Sequence, residues 1–271
     1  MTLEYLRMVN RMTSAIHNII KVPGPEVSAD IFQDHEEATY WIGEVASLGQ
    51  LTLPEYYDAL TRFRAETYLH LGFIATEAVD SQGRDIDIDE ARSSNFAVVK
   101  QHRSDATASS YASLVGSGRL IHKGITGAPL PIEQFFPEVF AKAPISENSV
   151  EVSRFISKEQ VNINRHLISL SIIRALAFSS ADAGVDNGYC IIEKPLYRLL
   201  DMIGIPLKIM GEPKDIPSLG GILYPVEINP YRVLESAKTD KYKIIDLKKF
   251  FDDKGRGVGF YKDDLNGVKD E

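Results

Sequence analysis

Residues 149–159 read Ser149-Val150-Glu151-Val152-Ser153-Arg154-Phe155-Ile156-Ser157-Lys158-Glu159, SVEVSRFISKE. The density of Val, Phe and Ile, bounded by Asn148 and by polar residues, predicts a strand over 148–157. Yet the stretch carries a carboxylate and a guanidinium three positions apart. Side chains of a regular strand alternate faces, so Glu151 shares a face with Ser153, and Arg154 shares the other with Val152. Either the two charges serve different sites, or a β-bulge brings them together, as bulges beside active sites do. The plain alternative is a structural ion pair.

Working outward, SNFAVVKQ (94–101) and ASLVGSGRLIHK (112–123) precede this strand, and NGYCIIEK (187–194), IPLKIMG (205–211) and GILYPVEIN (221–229) follow it. All are rich in Val, Ile and aromatic residues and end at Gly, Pro, Asn or Ser, as strands do. A long helix is predicted over 160–183, and a short one over 194–204 with Pro195 near its start and Gly204 at its end. Three early strands followed by strand–helix–strand alternation give an α/β fold, a mixed central sheet with helices on both faces. Apolar spacing predicts further helices over 1–21, 30–48 and Pro54 to Leu71, the last stopped by Gly72. The division expected is a helical N-terminal extension (1–50), a main domain (51–250) and a charged, glycine-rich, flexible tail (251–271).

The chain has 271 residues, 44% of them hydrophobic, enough for a sizeable core. Its formal charge of −8 argues against a phosphate-backbone partner, which needs a dense Lys/Arg footprint. Cys190 is the one cysteine, so no intramolecular disulfide forms, and its apolar strand context predicts a buried, inert thiol. Glu4, Arg7 and Arg11 interrupt the N-terminal apolar positions, so neither a signal peptide nor a membrane span is expected, and the reading is a soluble, cytoplasmic protein. GRGVG near the end lacks the strand, helix and third glycine of a dinucleotide site. VGSGR lacks the flanking glycines of a nucleophile elbow. The six histidines form no HExxH, so no metal is expected. DIDID (85–89) opens like a calcium loop but has Glu90 and Phe96 where Gly and Glu are required. Its alternation of Asp and Ile is equally compatible with a half-solvated strand face.

SVEVSRF resembles the Glu-x-Ser-Arg-Phe signature of the acyl-homoserine-lactone synthases, which share the GNAT-type acyltransferase fold with the N-acyl amino acid synthases. LVGSGRLI (114–121) is similar to the family's Gly-x-x-Arg-Leu strand and matches Arg119. RAETYLHLGF (64–73) resembles its Arg-then-aromatic helix, matching Arg64 and Tyr68, and GRDIDIDE (83–90) resembles the acidic stretch after it. KPLYRLLDMIGIPLKIMGEP (194–213) looks like its C-terminal helix, Gly-x-Pro and strand. Order and spacing agree over about residues 55–230. Two positions depart from the pattern. Ile74, beside Phe73, stands where the family has Trp; the paired acids fall on Asp87 and Glu90, with Asp89 as a one-residue slip.

The resemblance implies an enzyme that moves a fatty-acyl group from a thioester to the amine of an amino-acid-type acceptor, making an acyl-homoserine lactone of the quorum-sensing autoinducer type or an N-acyl amino acid. In that reading Glu151 is the general base, its pKa raised by burial, and a backbone N–H at a bulge in 150–155 holds the oxyanion. Arg64, Tyr68, Asp87, Glu90, Arg119, Arg154 and Phe155 bind substrate. Leu120, Phe155, Leu170 and Ile173 are candidate walls for the acyl chain. The implied donor is acyl carrier protein or acyl-CoA, with S-adenosylmethionine as acceptor in the lactone case and no permanently bound cofactor. SKEQVNINR (157–165) has no glycine to cradle a diphosphate, which favours a carrier protein, with Lys158, Arg165, Lys194 and Arg198 as candidate docking cations. The alternatives are a CoA-dependent acetyltransferase and a non-catalytic acyl-binding module on the same scaffold. A module of that kind permits Glu151 to be neutralised by Arg154 away from any cavity; an enzyme requires Glu151 on a cleft that continues into an apolar tunnel.

Overall fold

The computed structural model describes residues 20–23, 38–48, 50–51, 54–102, 113–141, 143–158, 162–202 and 204–236. Among them ten strands form one sheet: β1 (Ile20–Pro23), β2 (Ala38–Ser47), β3 (Gln50–Leu51), β4 (Ser93–His102), β5 (Ser113–His122), β6 (Ser149–Ser157), β7 (Asn187–Glu193), β8 (Leu207–Ile209), β9 (Lys214–Ile216) and β10 (Gly221–Ile228). The helices are α1 (Pro54–Leu71), α2 (Pro131–Phe135), α3 (Pro137–Phe140), α4 (Asn162–Asp182), α5 (Lys194–Met202) and α6 (Pro230–Ser236). The sheet order is β1-β2-β4-β5-β6-β7-β10-β8, with β3 on β2 and β9 on β10. Only β6 and β7 run parallel among these described pairings.

That parallel pair is short, and its shortness places the site. β6 meets β7 over Ser149–Val152 and Asn187–Cys190 alone. Beyond this, β6 stays with β5 as far as Ser157, while β7 stays with β10 as far as Glu193. The two halves of the sheet therefore part at the carboxyl ends of the parallel strands, leaving a gap between them.

Alternation along the strands sorts the layers. Phe96, Val98, Leu120 and Val150 face the back, where α4, α5 and α6 cover them in the largest core. Ala97 and Ile156 face the front and pack under Leu60, Phe63 and Tyr68 of α1. Ile121 and Tyr189, also in front, pack under Ile132, Phe136 and Phe140 of α2 and α3. Helix α1 ends as its sequence predicts: Gly72 takes φ 71°, and the Phe73 N–H reaches back to the Tyr68 carbonyl at 2.9 Å. This glycine-terminated cap fixes Phe73 at the mouth of the site described below.

Two glycines on β5 set how closely α4 approaches. A Cβ on Gly118 would lie 2.6 Å from Ile172 Cγ2, and one on Gly116 would lie 2.9–3.0 Å from Ile168, Ile172 and Val98. Gly118→Ala is expected to destabilise the fold by about 1–3 kcal/mol through overpacking, read as a lower Tm. An unchanged Tm would mean that α4 moves off the sheet freely.

Most predicted elements occur where expected, but the helix expected over 30–48 does not. Ala38–Ser47 is strand β2, paired to β4 along its length. Its Thr39, Tyr40, Trp41, Ile42 and Val45 favour a pleated surface, and Gly43 disfavours a helix interior by about 1 kcal/mol relative to Ala. Apolar spacing misled here because a buried strand and a short helix both show clustered apolar residues. The sheet thus begins upstream of residue 51. The helix expected over 1–21 lies outside the described residues except for Ile20 and Lys21, which belong to β1. Residues 30–37 and the tail 251–271 also lie outside them. Among the described residues no helix is long and apolar enough to cross a membrane.

Candidate active site

The two charges of SVEVSRF meet on one face because the strand carries a bulge. β5 and β6 pair Gly116 with Ser157 and Ser117 with Ile156, then skip to Arg119 with Ser153. Arg154 and Phe155 therefore lie opposite Gly118 alone, two residues against one. Arg154 takes φ 52°, a left-handed conformation costing a non-glycine residue roughly 1–2 kcal/mol. The alternation is reset: Phe155 packs into the back core, Ile156 packs in front, and the Arg154 guanidinium turns to the front beside Ser153 and Glu151. In a regular strand that guanidinium would point at the core behind Val152.

Arg154 does not neutralise Glu151. It makes a bidentate pair with Asp85 (Nε to Oδ2, 2.6 Å; Nη2 to Oδ1, 2.9 Å) and reaches Asp87 Oδ2 at 3.1 Å. Arg119 donates to Asp87 at 2.8 Å, to Glu90 at 3.0 Å and to the Ser153 hydroxyl at 2.8 Å. Arg64, fully buried on α1, donates to Glu90 at 2.5 Å, to Asn95 at 2.7 Å and to the Asp85 carbonyl at 2.6 Å, and its Nε lies 3.1 Å from the Asp85 carboxylate. Asn95 returns a bond to Glu90 at 2.9 Å, as does Tyr57 at 3.1 Å. Three guanidiniums thus face three carboxylates in a balanced network, which is the condition under which buried charges are tolerated.

Asp87 is the network's most exposed carboxylate. Burial pushes its pKa up, but Arg119 and Arg154 outweigh this and hold it at about 2. Burial alone would lower the pKa of Arg119, yet Asp87 and Glu90 raise it, so this cation is permanent. Tyr68 lies under Arg154, 5.5 Å from guanidinium to ring centroid, and burial raises its phenol to about 12. It is therefore a neutral, aromatic wall.

The acidic stretch is not the half-solvated strand that its alternation allows. It is irregular, with Asp85 and Asp89 buried and Ile88 90% exposed. The acids go inward because arginines wait for them. Asp89 pairs with Arg92, which also binds the carbonyls of Ala128 and Pro129 ahead of α2. Asp89 is thus a loop anchor, and the Asp87 and Glu90 spacing is the one the network uses. Asp85, Asn95 and Ser153 belong to the site as well: Asp85 and Ser153 stand in GRDIDIDE and SVEVSRF without having been assigned a role there, and Asn95 lies outside the motifs.

Glu151 sits next along β6, 2% exposed. Its Oε2 accepts the Ile132 backbone N–H at 2.8 Å. Burial raises its pKa to about 8 against the smaller opposing pull of that N–H and of Arg119. A carboxyl so placed exchanges its proton near neutral pH rather than standing permanently ionised.

Glu151 lines a cavity of about 850 Å³, within the range of small-molecule sites. Asp87, Arg119, Ser153, Arg154 and Tyr68 form its polar side. It continues through the gap between β6 and β7 to an apolar lobe behind the sheet, among Ile173, Leu176, Cys190, Ile192 and Leu200. Phe73 and Ile74, where the family pattern has Trp, both reach its wall. Of the expected acyl-chain walls, Phe155 and Ile173 line the cavity, whereas Leu120 and Leu170 belong to the solid core. Arg64 and Glu90 stand behind the lining and hold Arg119 and Asp85 in place. Cys190 reaches the apolar lobe, but burial raises its thiol pKa and makes it a poor nucleophile. Of the candidate docking cations, Lys194 borders the cavity, Lys158 lies over Phe63, and Arg198 is exposed; the Arg165 side chain lies outside the described residues.

The comparisons agree with this geometry. The autoinducer synthase family profile matches residues 106–228, which span Arg119, Ile132, Glu151 and Arg154. That stretch, a little under half of the chain, is similar to the autoinducer synthase family. The acyltransferase class implied by the sequence motifs agrees with the match. Among solved structures, the acyl-homoserine lactone synthase LasI is 17% identical, with 72% of this chain and 91% of that chain covered at a TM-score of 0.53. FeeM, an N-acyl amino acid synthase from uncultured soil microbes, is 14% identical over 73% and 94%, at 0.52. MesI, a CoA-dependent acyl-homoserine lactone synthase, is 16% identical over 71% and 91%, also at 0.52. At these identities the likeness is one of fold, and it is the GNAT-like fold expected from the sequence. No curated protein sequence matches the chain.

Proposed function

We propose that this autoinducer-synthase-like protein is an N-acyltransferase that moves a fatty-acyl group from a thioester to the amine of an amino-acid-type acceptor. One observation carries the reading: a buried Glu151, left out of the arginine ion pairs, faces a cavity that is polar on one side of the sheet and apolar on the other. An acyl chain fits the lobe beyond the β6–β7 gap, which leaves its thioester carbonyl near Glu151 and Ser153. Asp87, held ionised, accepts a hydrogen bond from the acceptor's ammonium. Arg119 and Arg154 orient the acceptor's carboxylate or carbonyl.

Glu151 takes a proton from the ammonium. Burial lifts Glu151 to about 8, so it can accept that proton far more readily than an exposed carboxylate. The freed lone pair attacks the thioester carbon. A backbone N–H at the Arg154–Phe155 bulge is the candidate donor to the resulting oxyanion. Collapse breaks the C–S bond, and the second proton lost by the nitrogen goes to the departing thiolate, giving the amide and the free thiol. Tyr68, Phe73, Ile74 and Phe155 exclude water that would otherwise hydrolyse the thioester.

The donor is an acyl carrier protein or acyl-CoA. Absence of a glycine in 157–165 favours the carrier, with Lys194 beside the mouth as a docking cation; MesI, of the same fold, is CoA-dependent. With S-adenosylmethionine as acceptor, the acylated product's own carboxylate closes on its γ-carbon and breaks the C–S bond to the sulfonium, which leaves as a thioether, giving an acyl-homoserine lactone; with a free amino acid the product is the N-acyl amino acid. The non-catalytic module is disfavoured, because Arg154 is committed to Asp85 and Asp87 rather than to Glu151. The deciding experiment is untargeted mass spectrometry of lipid extracts from cells expressing the wild type or Glu151→Gln. The expected result is an acyl amide or acyl lactone present with the wild type and lost with the variant. Identical extracts would favour the binding module.

A further inference from the structure

The apolar lobe has an open end and a closed end, and the strand register tells them apart. On β7, Ile192 lies opposite Tyr224 of β10, and Gly188 lies opposite Ile228. At the Ile192 end the lining runs on into Glu193, Lys194 and Pro195, all exposed. At the Gly188 end it consists of Val150, Ser180, Gly188, Pro230 and Val233, all buried, with Ile228 half-buried beside them. Four residues of strand separate the two ends, about 13 Å.

The closed end is built by α6. Asn229 caps that helix, accepting the Arg232 N–H at 3.0 Å, and its amide donates to the Asp186 carbonyl at 3.1 Å at the start of β7. Tyr231 reaches the Ala181 carbonyl at 3.4 Å near the end of α4. The helix is therefore tied by its first turn to the segment joining α4 and β7, with Val233 1% exposed and on the lining of the lobe, and Ala177 of α4 also on the lining.

We propose that α6 is the stop that sets acyl-chain length, with Val233 as the specificity-determining residue and Ala177 as its counterpart on α4. The inference rests on the acyltransferase reading, because it takes the lobe to hold the acyl chain. Each methylene that enters the lobe adds about fourfold in affinity. A methylene that meets Val233 adds nothing, or is forced back toward the mouth and displaces the thioester from Glu151.

The test uses purified full-length protein and a series of free saturated fatty acids of increasing length, competing against an environment-sensitive fluorescent fatty acid. Wild-type affinity should climb by about fourfold per methylene to a break and then level. Val233→Ala should move the break to longer chains. Val233→Phe, or the milder Ala177→Leu should the first not fold, should move it to shorter ones. Chain lengths of the products recovered by mass spectrometry should shift the same way. A break at the same length in Val233→Ala and in the bulkier variant overturns the stop while leaving the acyltransferase intact. Failure of the wild type to bind any fatty acid overturns both.

Discussion

Glu151→Gln is expected to lower turnover by about a hundred- to ten-thousand-fold while leaving donor affinity near the wild-type value. Glutamine keeps the volume and still accepts the Ile132 N–H, so the fold should survive, but it takes no proton from an ammonium. The pH profile separates a base from a structural residue. Wild-type kcat/KM should rise with pH and level above about 8, as Glu151 ionises, and the variant's residual rate should lack that inflection. Stability supplies an independent check with the opposite sign. The folded protein holds the Glu151 proton up to about 8, whereas an exposed Glu releases it near 4.5. Between those values the folded state binds more protons than the unfolded one, so unfolding free energy falls as pH rises through the window. The variant has no such group, so it should be no more stable than the wild type below about pH 4.5 and should gain on it by about pH 9 in urea melts. A variant with wild-type turnover and a wild-type profile would remove Glu151 from the chemistry.

The strands were legible because buried strands of a mixed sheet have a distinctive texture, and the stretches 148–157, 112–123 and 187–194 fall within one residue of β6, β5 and β7. Helix α1 was legible at both ends because Pro54 and Gly72 punctuate it. β2 was not, because its strand identity depends on β4, a partner far along the chain. The bulge was anticipated only as one of two options: nothing local in the sequence requires Arg154 to take a positive φ. What holds it there is the pair of carboxylates at Asp85 and Asp87, contributed by a different part of the chain. For the same reason Asp85 read as an ordinary member of an alternating stretch, when it binds two arginines. Leu120 and Leu170 read as candidate walls because hydrophobicity does not distinguish a tunnel lining from a core. That distinction comes from where β6 and β7 diverge.

Arg64→Met should be among the most destabilising single changes in the protein, although its side chain touches no part of the cavity. Arg64 is fully buried and holds Glu90, Asp85 and Asn95 together. Its removal leaves three carboxylates facing two guanidiniums, an uncompensated buried charge that costs about 3–5 kcal/mol. Tm should fall accordingly, by roughly 2–4 °C per kcal/mol. Arg64→Lys should restore little, because one ammonium does not span three acceptors held by a planar, five-donor fork. Adding Glu90→Gln to Arg64→Met neutralises the surplus carboxylate, so the double variant should be more stable than the sum of the two single losses, with a coupling of about 0.5–3 kcal/mol. Strict additivity would show that the three pairs act separately. The coupling matters for catalysis because Glu90 also binds Arg119, and Arg119 binds Asp87 and Ser153 on the cavity wall. A loosened Glu90 lets Arg119 swing, and the acceptor's ammonium loses its fixed distance from Glu151. The rescue should therefore return stability before it returns kcat/KM.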